Sequence, residues 1–71
     1  MTSRYHLALA GPVPAVVAEA IRGRFGDVTV RPDGPQTILE GPIADQAAVR
    51  ALLTMLWDAG GEVRLLRVTT A

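Results

Sequence analysis

Cysteine is absent from this chain, and histidine occurs once, as His6. The first absence excludes disulfides and thiolate metal centres, and it leaves the redox compartment without a marker. The second excludes a zinc site built from several imidazoles. Lysine and asparagine are missing as well, so every basic residue is an arginine: Arg4, Arg22, Arg24, Arg31, Arg50, Arg64 and Arg67. Seven basic residues balance seven acidic ones, for a formal charge of zero. There is accordingly no basic stripe of the kind that holds nucleic acid, and no polybasic run for an anionic membrane. No segment approaches the roughly 18 consecutive apolar residues that mark a membrane span. Neither a G-x-G-x-x-G run nor a Walker pattern occurs, so no phosphate-cradling loop of those types is encoded.

What the chain does have is aliphatic side chains. Hydrophobic residues make up 49% of its 71 positions, although aromatic ones make up only 4%. A single domain of this size buries roughly 60% of its unfolded surface, so its core is marginal. That surplus of apolar groups is expected to meet another protein chain, either a second copy in a homo-oligomer or a different partner. The replacement of lysine and asparagine by arginine and other residues fits a GC-rich genome such as that of an actinobacterium. The opening stretch MTSRYHLALAGPVPAVVAEAIRGRF has the look of a signal peptide, but Gly11, Pro12 and Pro14 break its apolar runs and charges follow at once. The chain is expected to be cytoplasmic and mature as written.

Periodicity divides the chain into six elements. Tyr5–Ala10 reads as a strand with Tyr5, Leu7 and Leu9 on one face and His6, Ala8 and Ala10 on the other. Gly11–Pro14 ends it, and Ala15–Phe25 reads as a helix with a stripe of Val13, Val17, Ala20, Ile21 and Phe25. Val28–Arg31 and Thr37–Gly41 form a hairpin around the turn residues Pro32–Gln36. Asp45 is an N-cap for a second helix running to about Ala59, where Gly60 and Gly61 supply a left-handed stop. Val49, Leu52, Leu53 and Leu56 form its apolar stripe, with Trp57 and Met55 at the margins of the core or lining a ligand pocket. Glu62–Thr70 is the last strand. Its alternation slips at Leu65–Leu66, which puts aliphatic groups on both faces or marks a bulge. The order β-α-β-β-α-β is the ferredoxin-like split βαβ pattern of the α+β class. Right-handed crossovers place both helices on one side of a four-stranded antiparallel sheet in the order 4-1-3-2.

The uncovered face of that sheet is the leading candidate surface. It is expected to present His6, Ala8, Ala10, Thr29, Arg31, one of Ile38 or Leu39, and Leu66 with Val68. An exposed, partly apolar face of this kind marks a partner site. If Leu66 is exposed there, Leu66→Glu breaks a complex without unfolding the chain. Arg64 and Arg67 read as edge charges that discourage further strand pairing, or as groups that hold a carboxylate or an acidic partner. His6 has no cysteine and no serine besides Ser3 for company, and the carboxylates are scattered, with Asp45 used as a cap and Asp33 in a turn. No catalytic residue, metal ligand or cofactor is therefore assigned. The turn Gly11, Pro12, Val13 is a weak ligand site, because a helix N-terminus offers amides but Pro12 and Pro14 remove two of them.

The order LALAG, AVVAEAI, VTV and TILEGPIADQAAVRALLTMLWDAGGEVRLLRV resembles ACT-type and related small ferredoxin-like modules over almost the whole chain. That resemblance implies a regulatory module that pairs and binds amino acids near Gly11, although GPVP stands where those modules carry an Asp-x-Pro-Gly turn. The segment GPIADQAAVRALLTMLWDAGGEVRLLRV looks like the C-terminal half of short, uncharacterised actinobacterial proteins with a G-P-[VI]-x-D-Q-A-A segment, and it brings no catalytic residues with it. Ferredoxin-like heavy-metal binders need a C-x-x-C pair that is absent here. RNA-binding relatives stack bases on aromatic groups, whereas these central strands offer His6, Ala8, Ile38 and Leu39. The expected function is a small non-enzymatic interaction module. The alternatives are an ACT-like small-molecule sensor, or a small enzyme or pathway accessory with His6 and an arginine between chains.

Overall fold

The computed structural model describes residues 3–70. Six elements follow in the expected order: β1 (Ser3–Ala10), α1 (Ala15–Phe25), β2 (Thr29–Asp33), β3 (Gln36–Ile43), α2 (Gln46–Asp58) and β4 (Val63–Thr70). The strands form one antiparallel sheet in the order β2-β3-β1-β4. This is the ferredoxin-like arrangement, with β1 and β3 central and β2 and β4 at the edges.

Each boundary has a local cause. Pro14 stands at the N-cap of α1 in extended conformation, and its carbonyl accepts from Val17 and Ala18. The carboxylate of Asp45 accepts from the amide of Ala48 at 2.8 Å, which caps α2. At the other end of α2, Gly60 takes φ 84°. Its amide donates to Trp57 while that of Gly61 donates to Leu56, the double closure of a Schellman motif. The left-handed residue is Gly60 alone. Gly61 is instead needed for space, since a Cβ there stands 2.9 Å from the Leu56 carbonyl oxygen.

The hairpin is tighter and its strands longer than the turn residues suggest. Asp33 pairs with Gln36, so only Gly34 and Pro35 lie between the strands, and Pro32 falls inside β2. An edge strand accepts proline, because one side of it has no ladder to complete. β3 runs on through Pro42 to Ile43. The β2 pairing has already ended at Glu40, so Pro42 also sits where the strand has a free side.

The helix-facing side of the sheet carries Tyr5, Leu7, Leu9, Leu39 and Ile43, which pack with Ile21, Val28, Leu52 and Leu56. Ala18 rather than Ala20 completes the buried stripe of α1. The rest of the expected stripe stands, with Ile21 in the core and Val13, Val17 and Phe25 packed against it. Gly41 lies opposite Tyr5, and a Cβ on it meets the Asp27 carbonyl at 2.6 Å and the Tyr5 hydroxyl at 2.9 Å. The Tyr5 hydroxyl itself is buried with no hydrogen-bond partner among the described residues, and burial pushes its pKa up.

The slip in β4 is a bulge. Ala8 faces Leu65 while Leu9 faces Val63, so Arg64 has no residue opposite it. Leu66 faces Leu7 and Val68 faces Tyr5, which puts both on the helix side. The expectation that Leu66 and Val68 belong to the open face is therefore corrected. The open-face residues of β4 are Leu65 and Arg67, opposite Ala8 and His6. One extra residue lets Val63 and Leu66 both reach the core, as a strictly alternating strand could not.

This assignment has a direct check. Leu66→Ala removes a side chain packed on the core and is expected to cost about 1–3 kcal/mol, whereas Leu65→Ala is expected to cost below ~0.5 kcal/mol. Urea denaturation of the two variants separates them, and equal costs refute the bulge register.

Candidate functional site

Cross-strand pairing sorts the open face into rows. One row is Thr29, Glu40, His6 and Arg67, in the order β2, β3, β1, β4. The next is Arg31, Ile38, Ala8 and Leu65. Of the alternatives Ile38 and Leu39, it is Ile38 that faces this side, because it pairs with Ala8 while Leu39 pairs with Leu7. Of the eight residues expected on this face, His6, Ala8, Ala10, Thr29, Arg31 and Ile38 lie on it. Leu66 and Val68 are behind them.

A polar network spans three strands of this face. His6 Nδ1 donates to Glu40 Oε2 at 2.9 Å, and Arg31 Nε lies 3.5 Å from Glu40 Oε1. The hydrogen bond from His6, joined by the Arg31 guanidinium, holds the Glu40 carboxyl below its ordinary value despite the opposing pull of desolvation. Beneath the network, Ala8 and Ile38 are each only 3% exposed. Leu65 beside them is 47% exposed. The face is therefore a small aliphatic floor under long polar side chains, with a bare leucine at its β4 margin.

Glu40 was not singled out from the sequence. The signal for it lay in the register: once the first and third strands pair centrally, His6 and Glu40 are opposite one another. Nothing in residue spacing along the chain brings two groups 34 positions apart together.

With Nδ1 engaged by a carboxylate, His6 has the base-and-orienter half of an acid/base site. The residues directly opposite His6 are Glu40 and Arg67, neither of them a hydroxyl nucleophile, and the one hydroxyl of the row, Thr29, stands two strands away beyond Glu40. Among the described residues no three His, Asp or Glu side chains gather as metal ligands. No helix among them is long and apolar enough to cross a membrane.

The turn Gly11, Pro12, Val13 borders a cavity of about 170 Å³ between the start of α1 and the end of α2. Pro12 and Val13 line it together with Leu9, Val17 and Leu56 and the Gly60–Gly61 backbone. Gly11 does not line it. Its amide donates to the Pro35 carbonyl at 2.9 Å, and its carbonyl accepts from the Thr37 hydroxyl at 2.7 Å. Both backbone groups are consumed by the fold, and the cavity wall holds no charged side chain. A second depression, of about 380 Å³, lies between α2 and β4, with Val49, Leu66, Val68 and Thr70 among its walls.

Fold and face together define a ferredoxin-like α+β domain with a polar network across an uncovered sheet. The chain belongs to the family described as Domain of unknown function (DUF8691), whose model matches residues 4–69. No curated protein matches the chain.

The lowered Glu40 pKa fixes the sign of a pH effect. A carboxyl whose folded pKa lies below its unfolded value stabilises the fold fully above the unfolded value, and that contribution is lost as pH falls through the folded one. The stability advantage of the native chain over Glu40→Gln is therefore expected to be complete at about pH 6 and to fade below about pH 4.5. Thermal unfolding of both proteins across pH 3–6 measures it. An advantage that does not shrink with acid removes the network from the account.

Proposed function

We propose that this domain is a non-enzymatic interaction module that associates through the β4 edge and the adjoining half of the open face. One observation carries the reading: β4 is an eight-residue strand with a free edge and half-exposed aliphatic groups on both its faces. Leu65 projects from the open face at 47% exposure and Val68 from the helix face at 42%. The opposite edge differs. β2 has five residues, Pro32 within it and charged Arg31 and Asp33 beside the proline, all features that blunt an edge. Both edges carry two charged side chains, and the difference lies in length, in the proline of β2 and in the two half-exposed aliphatic groups of β4.

The variant that tests this is Leu65→Glu, because Leu66 packs against the core and a charge there disturbs the fold as well as any complex. Native mass spectrometry of protein purified gently from its own host is expected to show a mass above that of the single 7.5 kDa chain, from a second copy or a bound partner protein. Leu65→Glu is expected to return the mass to that of a single folded chain. A bare monomer in the native protein, or a complex indifferent to the substitution, overturns the reading.

The cavity beside Pro12 and Val13 favours a second reading, a small-molecule sensor of ACT-like type. Its size and its apolar wall suit a small uncharged molecule. A thermal-shift panel of amino acids and nucleotides at millimolar concentration distinguishes the two. Under the interaction reading the melting temperature stays unchanged throughout the panel, and a rise with any member transfers the function to the sensor.

A further inference from the structure

The occupant of the β4 edge can be narrowed by charge. β4 contains no acidic residue, and its two charged side chains are Arg64 and Arg67. Arg64 is taken up by Glu62, with Nε 2.8 Å from Oε2. Arg67 makes no ion pair among the described residues, and it stands opposite His6 on the open face. The carboxylate that neutralises this row, Glu40, is held on the far side of His6 and shared with Arg31. The β4 margin of the open face is therefore positive, while the interior of the row is already compensated.

A second copy fits this edge poorly. An antiparallel pairing of β4 with itself that keeps both helix layers on one side must set residues of like facing opposite each other. Registers centred on Leu66, Arg67 or Val68 are those that pair most of Leu65–Thr70, the part of the strand beyond the bulge. Centred on Arg67, the two arginines face each other directly. Centred on either neighbour, they lie on the adjacent diagonal of the same face. Like charges directly opposite destabilise a strand pair, and on the diagonal, about 7–8 Å apart, the two guanidinium groups still face each other with no carboxylate of β4 between them.

On the helix side β4 offers Leu66 and Val68. They border the depression of about 380 Å³ between β4 and α2, where Val49 faces them and the capping carboxylate Asp45 and Gln46 line the wall as well. An added strand sends alternate side chains to the two faces. Next to β4, one set meets Arg67 and the other meets Val68.

We infer that the β4 edge accepts an extended segment of a different protein, in which carboxylate side chains alternate with aliphatic ones, as a fifth strand of the sheet. Main-chain hydrogen bonds to β4 hold the segment. Its carboxylates lie along Arg67 on the open face, and its aliphatic groups cover Val68 at the mouth of the depression. This rests on the interaction reading above and specifies the partner's chemistry.

The test uses fluorescein-labelled eight-residue peptides, matched to the length of β4, and fluorescence anisotropy. One peptide alternates glutamate with valine and a second alternates lysine with valine. Two further versions of the first carry N-methyl groups on one or the other alternate set of amides. The acidic peptide is expected to bind at least about tenfold more tightly than the basic one, with the preference reversed in Arg67→Glu and weakened in Arg67→Gln. One N-methylated version is expected to lose binding and the other to keep it, since only one set of amides faces β4. Circular dichroism establishes that both arginine variants are folded. Equal binding of acidic and basic peptides, no binding of the acidic one, or indifference to both methylation patterns overturns the assignment. If the native complex of the preceding section is a homodimer that Leu65→Glu dissolves, the interaction reading stands and the peptide assignment falls. If Leu65→Glu leaves that complex intact, the interaction reading itself falls.

Discussion

The bulge at Arg64 is the constraint on which the use of this sheet depends. The segment Val63-Arg64-Leu65-Leu66-Arg67-Val68 cannot satisfy the helix layer by alternation alone, because Val63 and Leu66 have opposite parity. One unopposed residue restores both to the core side, beside Leu9 and Leu7. The same insertion sends Leu65 and Arg67 to the open face. Had β4 paired without it in the register of its first residue, Leu66 and Val68 would lie outside and Arg67 would point at the helices. In that register Leu66 leaves the core side, and in the register of Leu66 it is Val63 that leaves it. The bulge is the arrangement that keeps both against the core.

The small core explains why so little is left to cover β4. Five side chains are completely enclosed, namely Leu7, Ile21, Leu39, Leu52 and Leu56, and they come from β1, β3 and the two helices. β4 supplies none of them. Its Val63 and Leu66 are partly buried and pack against the enclosed cluster, and Trp57 at the end of α2 remains 56% exposed. Two helices over four strands cannot shield every strand equally in a chain of this length. The cost falls on the two edge strands: β2 is exposed at every position, and β4 keeps only Val63 and Leu66 partly buried while Leu65 and Val68 stay half-exposed.

Much of this was legible in the sequence, and the parts that were not have physical reasons. Alternation in Tyr5–Ala10, the Asp45 cap, the glycine stop and the turn residues Pro32–Gln36 carry the element order, because each is a local signal. The ends of β2 and β3 were placed too early because proline reads as a strand breaker. Whether Pro32 and Pro42 are tolerated depends on which neighbour strand is absent at that point, and that is a property of the sheet. The facing of Leu65 and Leu66 was undecidable for a similar reason, since an even slip and a bulge share one sequence and differ only in pairing with β1. Glu40 escaped notice because its partner His6 is remote in the chain, and only the antiparallel register of β1 and β3 joins them.

The asymmetry of the two edges follows from these facts and bears on how the domain stays discrete. A sheet with two open edges can pair β4 of one copy with β2 of the next, a heterologous contact that does not close and grows into a filament. Pro32 interrupts the donor row of β2, and the strand is too short to offer a long alternative ladder. Propagation is therefore stopped at β2 and does not have to be stopped at β4. The salt bridges of the open face contribute little to stability where they are solvated, generally below about 1 kcal/mol each. Their effect is on distribution: by engaging Glu40 with His6 and Arg31, they leave the positive charge of Arg67 at the one edge that is free to pair. A surface can only discriminate between partners with charges that the fold has not already used, and in this domain Arg67 is such a charge on the strand whose edge is open.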